Sequence, residues 1–358
     1  MRAKRKKQRK SADWRQFDSL DDGALATIKR TSALRRVPVL VNCRCSAVPG
    51  LEGAVCAFEL GWHAPPIVVE HVSGRSMILA PGDVFLGTPG HRESTRWAVG
   101  GIPEGGLIPG NSYWVLAECG LVGDLVGGTP QEMAHLAKVK YLGAIVGNDG
   151  IFLNIRQFIL TVDFPSVDYK APVFLVLGTS AEVGKTTAGT VVLRSLRRKG
   201  ATRVIALKAT GTSSLSEIAV YQDFGANQVF DCVDFGLPTT YPTGRSGIKE
   251  VFAGALDTCL SIPCDAVLVE CGGDILGANV PVFLDCLKHR RLDTRVILAA
   301  ADALGALGAK RILEEMGFTL TLITGPCTDT ATLQARTQTL CGIPAVNMTR
   351  SGGQEVLF

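Results

Sequence analysis

From Val173 onward the chain alternates short, almost uninterrupted apolar runs with longer amphipathic stretches, a texture that few folds accommodate. The runs are VFLVL, RVIAL, AVLVE, RVILAA and LTLIT. Between them stand TAGTVVLRSLRRKG, EIAVYQDFG, SGIKEVFAGALDTCL, NVPVFLDCLKHRR and ALGALGAKRILEEMG, which have helical length and spacing. Strands that are apolar on both faces need cover on both faces, and helical crossovers supply it. Residues 172–350 are therefore expected to form an α/β domain built on a doubly wound parallel sheet. Ligands of such sheets bind beyond the carboxyl ends of the strands.

At that end of the first strand the sequence runs GTSAEVGKTTAG (178–189) and then into a helix. Gly184, Lys185 and Thr186 have the order that closes a P-loop. Backbone N–H groups wrap phosphate oxygens, the lysine supplies charge, and the hydroxyl reaches Mg²⁺. Thr179, Glu182, Val183, Gly184, Lys185, Thr186 and Thr187 are the expected phosphate-binding residues. The strict pattern places glycine at 179, where this chain has threonine.

The segment GTSAEVGKT (178–186) is similar to the GTxxEVGKT loop of dethiobiotin synthetases, including the displaced glycine. Three further segments follow in the same order: KATGT (208–212), SEIAVYQ (216–222) and DAVLVECGG (265–273). The resemblance covers about residues 173–347 and implies a P-loop enzyme using ATP and Mg²⁺. It implies that Lys208 contacts substrate and phosphate, with Lys185 and Lys208 as the catalytic pair, and that Glu217 and Glu270 join Thr186 around the metal. The chemistry agrees: a carboxylate closing an apolar strand needs a cation or hydrogen bonds, and Mg²⁺ takes a few carboxylates together with phosphate and water. Two segments depart from the family. TGPCTD (324–329) replaces the usual adenine-reading Asn-Asp pair, and DCVDFGLPTT (231–240) is unlike its substrate loop, so a product other than dethiobiotin is expected.

Residues 37–165 read differently, as short apolar stretches broken by Gly and Pro, with one helix expected at about 130–142. They are taken as a β-rich or α+β N-terminal domain, joined through a linker around Asp163–Ser166 and Ala171–Pro172. Residues 13–36 look weakly helical. The chain of 358 residues carries +4 overall, yet seven Lys and Arg lie within its first ten residues, leaving the remainder near −3. Residues 1–12 are expected to be a solvated basic tail, with a nucleic-acid partner the less favoured reading. The closing SGGQEVLF reads as a protease-site remnant.

Eleven scattered cysteines without a secretory signal point to reduced thiols and a cytoplasmic protein; no apolar run is long enough for a membrane span. Cys43 and Cys45 have no second pair at metal-binding spacing, and His63, His71, His91, His135 and His289 form no known motif. Asp302 is expected to cap the helix that follows it. GTPGHREST (87–95) is either a hairpin or a substrate-facing turn.

Three functions fit these features. The first is an ATP-dependent carbon–nitrogen ligase that activates a small carboxylate, carbamate or amino acid as an acyl phosphate. The second is an acyl-CoA-dependent N-acyltransferase, since a related two-domain P-loop family includes a D-glutamate N-acetyltransferase. The third is a nucleotide-gated regulator without catalysis. A homo-oligomer, a dimer or larger, is expected in each case.

Overall fold

A computed structural model describes residues 28–40, 42–93, 98–160 and 171–350. The basic tail, the linker at Asp163–Ser166, the end of the GTPGHREST stretch and the closing octapeptide lie outside the described residues.

The N-terminal strands are β1 (Lys29–Arg30), β2 (Cys43–Ser46), β3 (Cys56–Leu60), β4 (Ile67–Glu70), β5 (Ser76–Leu79), β6 (Val84–Pro89), β7 (Val99–Gly101), β8 (Ser112–Ala117), β9 (Leu121–Gly127) and β10 (Lys138–Gly147). Strand β6 pairs with β3, β3 with β10, β10 with β8, β8 with β9, and β9 returns to β6. The ring is closed, so its five members have no free hydrogen-bonding edge between them. Its filling includes Phe58, Phe85 and Tyr141, with Phe58 centred 5.7 Å from Phe85 and 5.5 Å from Tyr141. Strands β1, β2 and β7 extend the sheet, and β4–β5 is a separate hairpin.

Two expectations about this half are corrected. The helix foreseen at 130–142 is α1, Pro130–His135 only, and Lys138 onward is β10. The run VKYLGAIVG is wanted by the barrel wall on both sides, and those ladder bonds override local helical preference. Within 28–36 the weak helix is a strand and a 3₁₀ turn, Ser32–Leu34. Because β1 pairs with β6, the N-terminal fold also begins before residue 37.

The second half holds β11 (Val173–Gly178), α2 (Lys185–Arg198), β12 (Val204–Thr210), α3 (Leu215–Asp223), β13 (Gln228–Asp231), α4 (Ile248–Ser261), β14 (Ala266–Cys271), α5 (Val280–Lys288), β15 (Thr294–Ala299), α6 (Ala303–Glu315), β16 (Leu320–Thr324) and α7 (Ala331–Cys341). The sheet order is β13-β12-β14-β11-β15-β16, all parallel. One apolar cluster fills one face, with Phe252 edge-on to Phe283 at 5.4 Å, and a second fills the other. From β11 the chain crosses to β12 on one side, and from β14 it crosses to β15 on the other. The winding direction therefore reverses at adjacent strands β11 and β14, which opens a crevice at their carboxyl ends. No helix among the described residues is long and apolar enough to cross a membrane.

Candidate active site at the phosphate loop

The loop between β11 and α2 is shaped by its backbone. Gly184 sits at φ 89°, ψ 24°, and Glu182, a non-glycine residue, at φ 60°. Left-handed residues in a tight loop turn successive N–H groups inward, forming a nest for an anion at the start of α2. Holding Glu182 there costs on the order of 1–2 kcal/mol, a strain typical of functional loops. Gly178 is needed for space: a Cβ there would lie 2.7 Å from Cδ of Lys185. The lysine stem folds back through that gap and its Nζ donates to the carbonyls of Ser180 (2.7 Å) and Gly273 (2.8 Å). The second half of this chain carries a P-loop α/β fold.

Thr179 explains the displaced glycine. Its N–H donates to Ala299 O and its hydroxyl accepts from Ala301 N–H at 3.2 Å, so it ties the loop to β15. Its side chain and that of Val183, which is fully buried, do not line the cavity, whereas Glu182, Gly184, Lys185, Thr186 and Thr187 do. The contribution of Thr179 and Val183 to a phosphate is limited to the backbone.

Lys208 and Glu270 are register partners on neighbouring strands β12 and β14. Buried Lys208 is ion-paired with Glu217 in the first turn of α3. Burial pulls the Lys208 ammonium down, but Glu217 and Glu270 outweigh it and hold its pKa above the ordinary lysine value. Lys208 in turn holds the Glu217 carboxyl below its ordinary value. Glu270 is buried and accepts from the Tyr221 hydroxyl, which also meets Thr186. Gly189 leaves room for the Tyr221 ring, since a Cβ there would lie 2.8 Å from it. Thr186, Glu270 and Glu217 are hard oxygen donors suited to Mg²⁺, but Glu217 is engaged with Lys208. Among the described residues no group of three or more His, Cys, Asp or Glu side chains could hold a metal ion by itself, so Mg²⁺ here would rely on phosphate and water for its other ligands.

Lys185 is buried, and that burial lowers its pKa from the ordinary 10.5 despite the attraction of Glu270. A bound phosphate favours the protonated amine. Nucleotide affinity should therefore be full below the lowered pKa and fall as pH rises through it, earlier than for an exposed lysine. Calorimetric titration of ADP and Mg²⁺ from neutral pH up to the ordinary lysine value of 10.5, in buffers of different ionisation enthalpy, should show weakening with proton uptake. Constant affinity without proton uptake across that range would contradict it.

The N-terminal domain closes the other side. Glu70 accepts from the N–H groups of Leu215 (2.8 Å) and Ser216 (2.6 Å) and from the Ser32 hydroxyl, capping the helix that carries Glu217. Arg35 bridges Asp231 and Asp234, Arg36 also reaches Asp234, and Glu52 pairs with Arg245. Between the domains lies a cavity of about 550 Å³, walled by the loop, Lys208, Glu217, Glu270 and Tyr241, and by Arg92 and Ala117–Cys119 from the N-terminal side. The GTPGHREST stretch thus faces the site through Arg92. Glu70, Tyr221 and Tyr241 are not singled out by the sequence, and Arg92 only as part of the GTPGHREST stretch. Gly189, an unexplained glycine inside a helix, was the one local signal for Tyr221.

Asp302, Cys43, Cys45, His71 and His289 do not line the cavity. Asp302 caps α6 by accepting from Gly305 N–H at 2.8 Å. Cys43 and Cys45 lie on β2, and none of the eleven cysteines is in a disulfide. His71 hydrogen-bonds Ser73, and His289 contacts the Asp285 carbonyl; neither lines the cavity.

No family model matches the chain, and no curated protein matches it. Among solved structures it is similar to chloroplast FtsY from Physcomitrella patens, at 14% identity and TM-score 0.35 over 53% of this chain and 62% of that one. It is similar to the signal recognition particle 54 kDa protein from Aeropyrum pernix K1 in complex with GDP, at 16% identity and TM-score 0.35 over 50% of this chain and 41% of that one. A DUF1611 family protein from Anabaena variabilis matches at 14% identity and TM-score 0.38, over 57% of this chain and 62% of that one. The chain spans less than two thirds of the length of each. The fold rests on the strand order and loop geometry above.

Proposed function

We propose that the protein is an ATP- and Mg²⁺-dependent ligase that activates a small carboxylate, or a carbamate, for carbon–nitrogen bond formation. The observation that supports it is the grouping of two buried lysines and two acids at the mouth of the phosphate loop, under a wall from a second domain. A carboxylate oxygen of the substrate attacks the γ-phosphorus, the bond to the β–γ bridging oxygen breaks, and ADP leaves. An amine then displaces phosphate from the acyl phosphate, forming the amide and releasing a proton. Lys185 and Lys208 neutralise charge on the transferring group. Thr186, Glu270 and Glu217 would hold Mg²⁺, which when bound offsets charge on the β- and γ-phosphates.

The reading is an electrostatic one, and the Cys119 thiol among the lining residues is unsuited to attack. Burial, with Glu70 nearby, pushes the Cys119 thiol up to about 12. The test is nucleotide diphosphate release from ATP and GTP across a panel of carboxylic and amino acids, with hydroxylamine as a trapping amine. Acid-dependent ADP release with hydroxamate formation is expected. Acyl-CoA consumption with an amine and no nucleotide cleavage would overturn the ligase in favour of an acyltransferase whose loop holds coenzyme A phosphates. Nucleotide binding with no turnover of either kind would favour a regulator.

A further inference from the structure

Thr186 and Glu270 line the cavity, and behind them stands a side chain that does not. Tyr221, on α3, is only 1% exposed. Its hydroxyl donates to Oε2 of Glu270 and also meets the Thr186 hydroxyl, so one buried oxygen touches both groups. Burial, then the Glu270 charge, push its pKa well above the ordinary 10, so it keeps the proton that it donates. With that proton given to Glu270, the Tyr221 oxygen has only lone pairs left, and the Thr186 hydroxyl donates to them. The fold makes room for this chain of hydroxyls. Gly189 follows Thr186 by three residues on α2, and a Cβ there would lie 2.8 Å from the Tyr221 ring and hydroxyl. On α3, Tyr221 follows Glu217 by four residues, so the two share a helix face. They engage Glu270 and Lys208, the register partners on β14 and β12, while Glu70 fixes the first turn of the same helix.

A hydroxyl that ligates a cation must turn its hydrogen away, and a carboxylate that ligates one must be held in a fixed plane. Tyr221 meets both needs, taking the Thr186 hydrogen and tethering one oxygen of Glu270. We propose that Tyr221 is a positioning residue for the divalent cation at the phosphate loop, orienting Thr186 and Glu270 so that the site prefers Mg²⁺ to larger ions. The inference rests on the reading of the loop as an Mg²⁺–nucleotide site. Mg²⁺ demands short, nearly octahedral coordination, whereas Ca²⁺ accepts looser and more varied geometry. Freeing the two ligands therefore costs Mg²⁺ more than Ca²⁺. Deleting an outer partner of a metal ligand lowers metal affinity by about 10- to 100-fold.

The test uses the full chain saturated with ADP. Mn²⁺ binding is read from loss of the free-ion electron paramagnetic resonance signal, and Mg²⁺ and Ca²⁺ are measured by displacing it. Tyr221→Phe keeps the ring and removes only the hydroxyl. Gly189→Ala keeps the hydroxyl and displaces it, reaching the same site by another route. Both should weaken Mn²⁺ and Mg²⁺ by about tenfold or more and Ca²⁺ by less than about threefold. ADP affinity in chelator should stay within about twofold of the parent protein, because Tyr221 touches no part of the phosphate nest. Unchanged Mg²⁺ affinity would overturn the inference alone. Equal weakening of all three ions, or of metal-free ADP beside them, would overturn it in favour of a structural role. Tyr221-dependent Mg²⁺ binding without ADP release from ATP would leave it standing and sink the ligase reading. A parent ADP complex that takes up no divalent ion would sink both.

Discussion

Replacing Lys185 with alanine should remove nucleotide binding and lower any nucleotide-dependent turnover by about 10²–10³-fold, the usual cost of deleting one preorganised charge from a transfer site. The reason is local. Nζ of Lys185 is the cation at the centre of the loop, held by the Ser180 and Gly273 carbonyls until an anion arrives. Gly178 has no side chain so that this stem can pass. Alanine leaves the nest of N–H groups intact, and the fold should survive because the lysine contributes burial and two hydrogen bonds but no core packing. Titration with ADP and Mg²⁺, beside a thermal melt, separates the two effects. Nucleotide affinity within twofold of the parent protein would show that the loop does not hold the phosphates.

Replacing Arg35 with methionine should destabilise the protein by about 3–5 kcal/mol, the range for stripping the partner from buried charges. The Arg35 side chain is only 8% exposed, and the Asp231 and Asp234 carboxylates beside it are 1% and 2% exposed. Methionine would leave Asp231 without its ionic partner and Asp234 paired with Arg36 alone. Denaturant titration measures the loss, and adding Asp231→Asn and Asp234→Asn should restore much of it. A cost below about 1 kcal/mol would mean that water already reaches the cluster. The pH dependence has a fixed sign. Burial raises the Asp231 pKa, but Arg35 outweighs it and holds the pKa below the ordinary value of 3.8. The stabilisation is therefore complete above that ordinary value and is lost as pH falls through the lower native one. In the methionine variant the acid limb of stability should move upward.

The parallel sheet was legible because its evidence is local. Each of VFLVL, RVIAL, AVLVE, RVILAA and LTLIT became a strand, since runs buried on both faces have no polar side to confuse the pattern. Two elements escaped. Strand β13 has four residues, and helix α7 buries only Thr337 and Cys341, so neither shows a full apolar period. The P-loop was equally local, since one loop of consecutive residues turns its own amides inward around Lys185. Lys208, Glu217 and Glu270 were named from ordered segments, and adjacent strands do bring Lys208 and Glu270 together.

What the sequence by itself determined is the set of short-range features: apolar periods, caps such as Asp302, and a loop whose glycines and lysine act within ten residues of one another. Only the tertiary structure decided that Lys208 neutralises Glu217, that Glu70 caps the helix holding that acid from 145 residues away, and that Arg92 lines the same cavity as the phosphate loop. Arginine, tyrosine and glutamate occur on any surface. A charge acquires a role only when chain closure over such distances brings it out of water beside a specific partner, and neither spacing nor periodicity encodes that meeting.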